Sequence, residues 1–172
     1  KLNRFYSDDM PSTVENRNHQ VSVLVDVIKN LPVDQIYIPD CEADDVIGYL
    51  CKYTYKDSKK VIISSDHDFY QLLDKKTIIH SPTWKKLVTS KTVIEKYGIS
   101  PENFCLAKSI CGDPADNIKG VPRVGFKTLA KRIPTLSTQE ELTANEIVEI
   151  AKTEVSEGST LKAITNISES LD

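Results

Sequence analysis

"KVIISSDHDFYQLL" (residues 60–73) decides the fold. Val61, Ile62 and Ile63 make an apolar run of strand length, and the chain then passes through two carboxylates, Asp66 and Asp68, into the helical pattern of "DFYQLL". A short, continuously apolar strand between helices belongs to a sheet covered on both faces, as in α/β proteins. The carboxyl ends of such strands line the ligand crevice. Asp66 and Asp68 therefore fall where chemistry is expected.

Working outward, the same arrangement recurs upstream. "QIYI" (35–38) reads as a strand, and "CEADDVIGYL" (41–50) follows with Glu42, Asp44 and Asp45 at the start of a helix over 42–54. "TIIH" (77–80) adds a third strand. Before these, Ser12 and Glu15 resemble a capping box, and Val21, Leu24, Val25, Ile28 and Leu31 mark one stripe of a helix over 12–30. Alternation of this kind predicts a parallel sheet flanked by helices. Past Trp84 the strand signal fades: "SKTVIEKYG" and "PENFCLAKSICG" read as helices, 112–125 as a loop rich in Gly, Pro and Asp, and "FKTLAKR" and "TANEIVEIAKTEV" as further helices.

Composition narrows the class. The 172 residues are 40% hydrophobic and 27% charged, which suits a globular unit with a real core. No run approaches the ~18 apolar residues of a membrane span, and "KLNRFYSDDMPS" has no apolar core of a signal peptide, so a cytoplasmic protein with no membrane partner is the default expectation. Cys41, Cys51, Cys105 and Cys111 form no C-x-x-C pair and read as reduced thiols. The net charge of −3 hides segregation: residues 84–132 hold 10 Lys/Arg against 4 Asp/Glu, a block of +6 between acidic flanks. One surface is thus suited to a polyanion, although Lys85, Lys86, Lys91 and Lys96 also fit an ordinary solvated helix face.

The acids call for a cation. A helix start explains Asp44 or Asp45 alone, since each gains about 0.3 to 1 kcal/mol there. It does not explain a rim that Asp66 and Asp68 would share, because like charges within about 4 to 6 Å oppose one another's ionisation. Asp113 and Asp116 in "CGDPADNIKG" add a third acidic pair. Seven oxygen donors without a His or Cys set point to Mg²⁺ or Mn²⁺ rather than zinc. Two such ions about 3.5 to 4 Å apart are the arrangement that hydrolyses phosphodiesters. Ser64 and Ser65 lack a His partner, and His67 reads as a spacer whose charge its acidic neighbours stabilise. In 112–132, Gly120 and Gly125 allow close backbone approach and Lys119, Arg123, Lys127, Lys131 and Arg132 supply charge for phosphates, against the alternative of a plain helical hairpin.

Taken in order, "KLNR", "CEADDVIGYL", "ISSDHDFYQLL" and "GDPADNIKGVPRVGFKT" resemble the 5′ nuclease family, which includes phage 5′–3′ exonucleases, the 5′ nuclease domain of bacterial DNA polymerase I and the flap endonucleases. The resemblance spans Lys1 to about Arg132. It implies an α/β, PIN-like parallel-sheet core (1–83) and a helical region (84–172) with a helix–three-turn–helix DNA-binding motif at about 100–132. It also implies a two-metal, Mg²⁺-dependent nuclease, with Mn²⁺ able to substitute, acting on DNA 5′ ends and flaps and on RNA primers in RNA–DNA hybrids during replication or repair. By position, Asp44, Asp45 and Asp66 match ligands of one metal, Asp66, Asp68, Asp113 and Asp116 those of the second, and Glu42 an outer acid. Lys1 and Arg4 match the basic pair that contacts the scissile phosphate, and Gly120, Val121, Gly125, Lys127 and Thr128 match the phosphate-gripping loop, with Lys119, Arg123 and Lys131 beside them.

Departures from the family pattern sharpen the expectation. Arg123 stands where Gly is usual, Phe126 and Lys119 are off pattern, and Cys41 replaces a common Gly. The family's opening strand with its Asp-Gly, and a further metal-binding Asp, belong upstream of "KLNR". The reading therefore expects a piece of a longer nuclease, impaired without that segment, or a chain completed by another polypeptide, with a DNA polymerase as a further partner. Two other functions stay open: a branched-DNA-binding module that does not cut, and a PIN-type ribonuclease, against which the 112–128 loop speaks.

Overall fold

A computed structural model describes residues 13–170. They fall into two compact units that divide between Ala43 and Asp44. The first contains α1 (Val14–Ile28), started by Thr13, whose hydroxyl accepts a hydrogen bond from the Asn16 N–H at 3.2 Å. Ser12 lies outside the described residues. None of the α1 residues is buried, so the stripe of Val21, Leu24 and Val25 is real as a pattern yet faces no core of its own.

The expected strand at 35–38 is corrected: these residues join no ladder, and Tyr37 is 87% exposed. The residue types are strand-forming, but a strand exists only through a partner. Among the described residues 35–38 has none.

The second unit begins within the first turn of α2 (Ala43–Tyr49), which runs on into a π-helical stretch, Leu50–Thr54. Ile47 and Cys51 of this segment pack against the core. β1 (Lys60–Ile63) pairs parallel with β2 (Thr77–Ser81), and β2 pairs antiparallel with β3 (Lys86–Val88), giving the order β1-β2-β3. The sheet is therefore mixed, which corrects the all-parallel expectation; β3 is only three residues long and turns straight back from β2. Between β1 and β2 the chain passes through a 3₁₀ turn, Asp68–Leu72, whose Phe69 and Tyr70 are buried. In β1 only Ile62 is buried, while Val61 and Ile63 are exposed.

The helical part is built on this edge. α3 (Ser90–Tyr97) opens with a Thr89–Thr92 capping box and ends at Gly98, whose φ of 69° suits a glycine. α4 (Pro101–Cys111) packs on the 3₁₀ turn, with the Phe104 ring 5.2 Å from that of Tyr70. β4 (Gly112–Asp113) and β5 (Ile118–Lys119) form a minimal hairpin, followed by α5 (Phe126–Arg132) and a 3₁₀ turn, Pro134–Ser137. α6 (Ala144–Ser156) and α7 (Lys162–Ser168) close the unit, burying Ile147, Ile164 and Ile167. Asn103 rivets α4 to the segment after α5: its buried amide donates to the carbonyl of Glu140 at 2.7 Å and its oxygen accepts from the Leu142 N–H at 2.8 Å. No helix among the described residues is long and apolar enough to cross a membrane.

Arg123 takes the conformation its glycine-like place demands, with φ at 67°. A side chain in that region costs roughly 1 to 2 kcal/mol, part of which a glycine gives back as unfolded-chain entropy, about 0.4 to 1 kcal/mol. Arg123→Gly is thus expected to stabilise the fold by about 0.5 to 1 kcal/mol. A calorimetric melt should rise by roughly 1 to 4 °C for a chain of this size; a lower melting temperature would contradict the assigned strain.

Candidate metal centre

Two short segments supply the centre. Asp68 stands at the start of the 3₁₀ turn after β1, Asp113 on β4, and Asp116 on the loop between β4 and β5. Carboxylate oxygens of these three residues lie within 4.8 Å of one another, with Asp68 and Asp113 half-buried and Asp116 exposed. Asp68 and Asp113 border a cavity of about 710 Å³ that Asp66, His67, Lys108 and Phe126 also line.

Local hydrogen bonds aim these acids. The Ser64 hydroxyl accepts from the Asp66 N–H at 3.0 Å, the Asp66 carboxylate accepts from the Asp68 N–H at 3.0 Å, and that of Asp113 from the Ala115 N–H at 3.0 Å. The hairpin under Asp113 and Asp116 depends on two glycines. Gly112 has φ 78°, and a Cβ on Gly120 would sit 2.2 Å from the Cys111 carbonyl, so two backbones touch where no side chain fits.

A cation already bridges the acids. The Lys108 ammonium, on the last turn of α4, donates to Asp68 and, at 2.6 Å, to Asp113. Burial pulls the Lys108 ammonium down, but its hydrogen bonds to Asp113 and Asp68 outweigh this and raise it above the ordinary lysine value. The hydrogen bond from Lys108 in turn holds the Asp113 carboxyl below its usual value of 3.8. That stabilisation is complete above the usual value and is lost as the pH falls through the lower folded one. An ammonium between two carboxylates marks where positive charge belongs, so the donor set fits a hard divalent cation. Lys108→Met is expected to tighten Mn²⁺ or Mg²⁺ binding, because a competing cation leaves, and to destabilise the chain in chelator by about 1 to 2 kcal/mol, discounted for its partial exposure. Calorimetric titration and melting in EDTA check both signs.

The remaining expected site residues are placed as follows. Asp66 lines the same cavity as Asp68. Asp44 and Asp45 occupy the exposed first turn of α2 and do not line it. Glu42 is exposed and belongs to the first unit, and Lys1 and Arg4 lie outside the described residues. Lys119, Arg123, Gly125, Lys127 and Lys131 are exposed, while Gly120, Val121 and Thr128 are half-buried. Val121 ties its loop to α4, its N–H donating to the Ile110 carbonyl at 2.7 Å.

The expectation for His67 is corrected. Desolvation lowers its pKa and Lys96 adds to this, against the opposite pull of Asp66 and Asp68. Its ring lies 4.8 Å from that of Tyr70 and 5.7 Å from that of Trp84. Lys108 was not anticipated from sequence. The signal was there: it follows the buried Phe104 by one helical turn, on the same face of α4.

Comparison with known proteins places the chain in a family. The family described as "5'-3' exonuclease, N-terminal resolvase-like domain" matches residues 1–98. Among curated relatives, a 5′-3′ exonuclease of Buchnera aphidicola subsp. Acyrthosiphon pisum is 34% identical over 84% of this chain and 51% of its own length. The thermostable DNA polymerase I of Thermus thermophilus is 33% identical over 80% of this chain and 16% of its own. The chain thus spans about half the length of the exonuclease and a smaller share of the polymerase. Among solved structures, T5 5′-exonuclease with bound zinc ions superposes with a TM-score of 0.72 at 24% identity, covering 89% of this chain and 54% of that one. The bacteriophage T5 flap endonuclease in complex with DNA and metal ions gives a TM-score of 0.67 over 89% of this chain and 53% of its own.

Proposed function

Because the chain belongs to the 5′-3′ exonuclease family, we propose that it forms part of a structure-specific 5′ nuclease that hydrolyses phosphodiesters at DNA 5′ ends and flaps and in RNA primers, in the cytoplasm, during replication or repair. One observation carries this reading: three carboxylates, Asp68 from the turn after β1 and Asp113 and Asp116 from the β4–β5 hairpin, converge within 4.8 Å of one another. We assign Asp68, Asp113 and Asp116, with Asp66, to one Mg²⁺ ion, and Asp44 and Asp45, with Asp66, to a second, and give Glu42 the role of an outer acid. Bound there, such ions polarise the phosphate and lower the pKa of an attacking water.

The chain's own residues do the rest. Ser64 holds the Asp66 backbone and Asp66 that of Asp68, the hairpin presents Asp113 and Asp116, and Lys108 neutralises Asp68 and Asp113, the carboxylates that would hold a divalent ion. We assign α4, the 112–125 loop and α5 to a helix–three-turn–helix in which Lys119, Arg123, Lys127 and Lys131 hold phosphates of the duplex, around Gly120, Val121, Gly125 and Thr128. Such contacts position a duplex and leave its sequence unread. Lys1 and Arg4 are assigned to the scissile phosphate. In this reading residues 1–83 belong to the catalytic core and 84–172 to the DNA-gripping region, and a DNA polymerase, fused or recruited, is the natural partner.

The test is cleavage of a 5′-flap DNA substrate with Mg²⁺, using this chain and, as the longer protein, a form of it extended upstream of Lys1. Mg²⁺-dependent cutting that stops in EDTA is expected of the longer protein. Cutting that persists in EDTA, or flap binding without any cutting by the longer protein, would overturn the reading in favour of metal-free chemistry or a binding module respectively.

A further inference from the structure

A second cavity, of about 450 Å³, opens beside the acidic one and is walled by Tyr70, Trp84, Lys86, Leu87, Lys96 and Tyr97. It lies within the second unit, and its contents are chemically distinct: aromatic and apolar walls with two ammonium groups and no carboxylate. Trp84 is 41% exposed, and the Lys96 ammonium stands 4.0 Å from the centre of its ring and 4.9 Å from that of Tyr97. The ring of His67, which lines the acidic cavity, lies against those of Tyr70, Trp84 and Tyr97, which line the aromatic one.

The turn that carries Trp84 is registered to the acidic rim. Ser65, next to Asp66, accepts from the Thr83 N–H at 3.2 Å and donates to the Thr83 hydroxyl at 2.8 Å, and its hydroxyl pairs with that of Ser81 at 3.0 Å. Ser81 also accepts from the Trp84 N–H at 3.3 Å. Ser65 and Ser81 thus tie the backbone of the Trp84 turn to the segment that carries Asp66.

We propose that this cleft takes one unpaired nucleotide of a DNA strand, its base against Trp84 and its phosphate on Lys96 and Lys86. Base stacking on an aromatic platform flanked by cations is how single strands are held without sequence preference, and the cleft offers ammonium groups to the anion and no carboxylate to repel it. The inference rests on the nuclease reading above, since the bound base would neighbour the phosphate presented to Asp68 and Asp113.

Trp84 is the single tryptophan of the chain, so its emission reports this cleft alone. The chain, in EDTA, is titrated with a short oligothymidylate and with an abasic oligomer of equal length and charge. Quenching by the thymidylate and not by the abasic oligomer is expected; equal quenching by both, or none by either, overturns the proposal. In the longer protein, Trp84→Ala should raise KM for a single-stranded flap by about 5- to 150-fold, the span that loss of one stacked base implies, with kcat little changed and Trp84→Phe restoring most of the loss. An unchanged KM overturns it. Because quenching is read without metal or cutting, base-selective quenching alongside absent cleavage would strike the nuclease reading and leave the cleft standing.

Discussion

Asp113→Asn is expected to lower 5′-flap cleavage by at least about a thousandfold while flap binding holds or tightens. A bound divalent ion contributes several kcal/mol to the transition state, and each 1.36 kcal/mol is about tenfold in rate. The amide keeps the size of the carboxylate and an oxygen for the Ala115 N–H, so the hairpin survives, but the charge that holds the ion and Lys108 is gone. Removing a negative charge beside a phosphate also favours DNA. Single-turnover cleavage and a gel-shift titration of the same protein separate the two effects, and cutting within tenfold of the unmodified protein would remove Asp113 from the metal site.

Gly120→Ala should do comparable damage by another route. Its Cβ would lie 2.2 Å from the Cys111 carbonyl and 2.4 Å from the Gly112 nitrogen, both backbone atoms with nowhere to move. Relief requires parting β4 from β5 or unseating the end of α4, at a cost of about 3 kcal/mol or more. The hairpin presents Asp113 and Asp116, and α4 carries Lys108, so metal binding should fail together with stability. A thermal melt and a Mn²⁺ titration of this variant should both fall. Gly125→Ala is the internal control: its Cβ would meet nothing within 4 Å.

Much of the site was legible because its parts are local. The apolar run Val61–Ile63 ending in Asp66 and Asp68 announced a strand delivering acids to a rim, and the glycines around Asp113 announced a tight turn; both exist. What sequence left obscure depends on partners distant in the chain. Residues 35–38 have strand chemistry and no ladder among the described residues, whereas Lys86–Val88 forms a strand because β2 lies beside it. Lys108 gains its role only because the turn after β1 and the hairpin at 112–119 bring Asp68 and Asp113 to it. The glycine-like geometry of Arg123 shows the reverse case, in which backbone position overrides side-chain preference and the residue carries the strain.

The central claim is that Asp68, Asp113 and Asp116 form a divalent-cation site over which Lys108 stands guard. Mn²⁺ titrated into the chain, with the free ion followed by electron paramagnetic resonance, tests it most directly. The expected result is saturable loss of the free-ion signal, abolished in the Asp68→Asn, Asp113→Asn double variant and strengthened in Lys108→Met. Binding that is the same in the double variant as in the unmodified chain would contradict the claim.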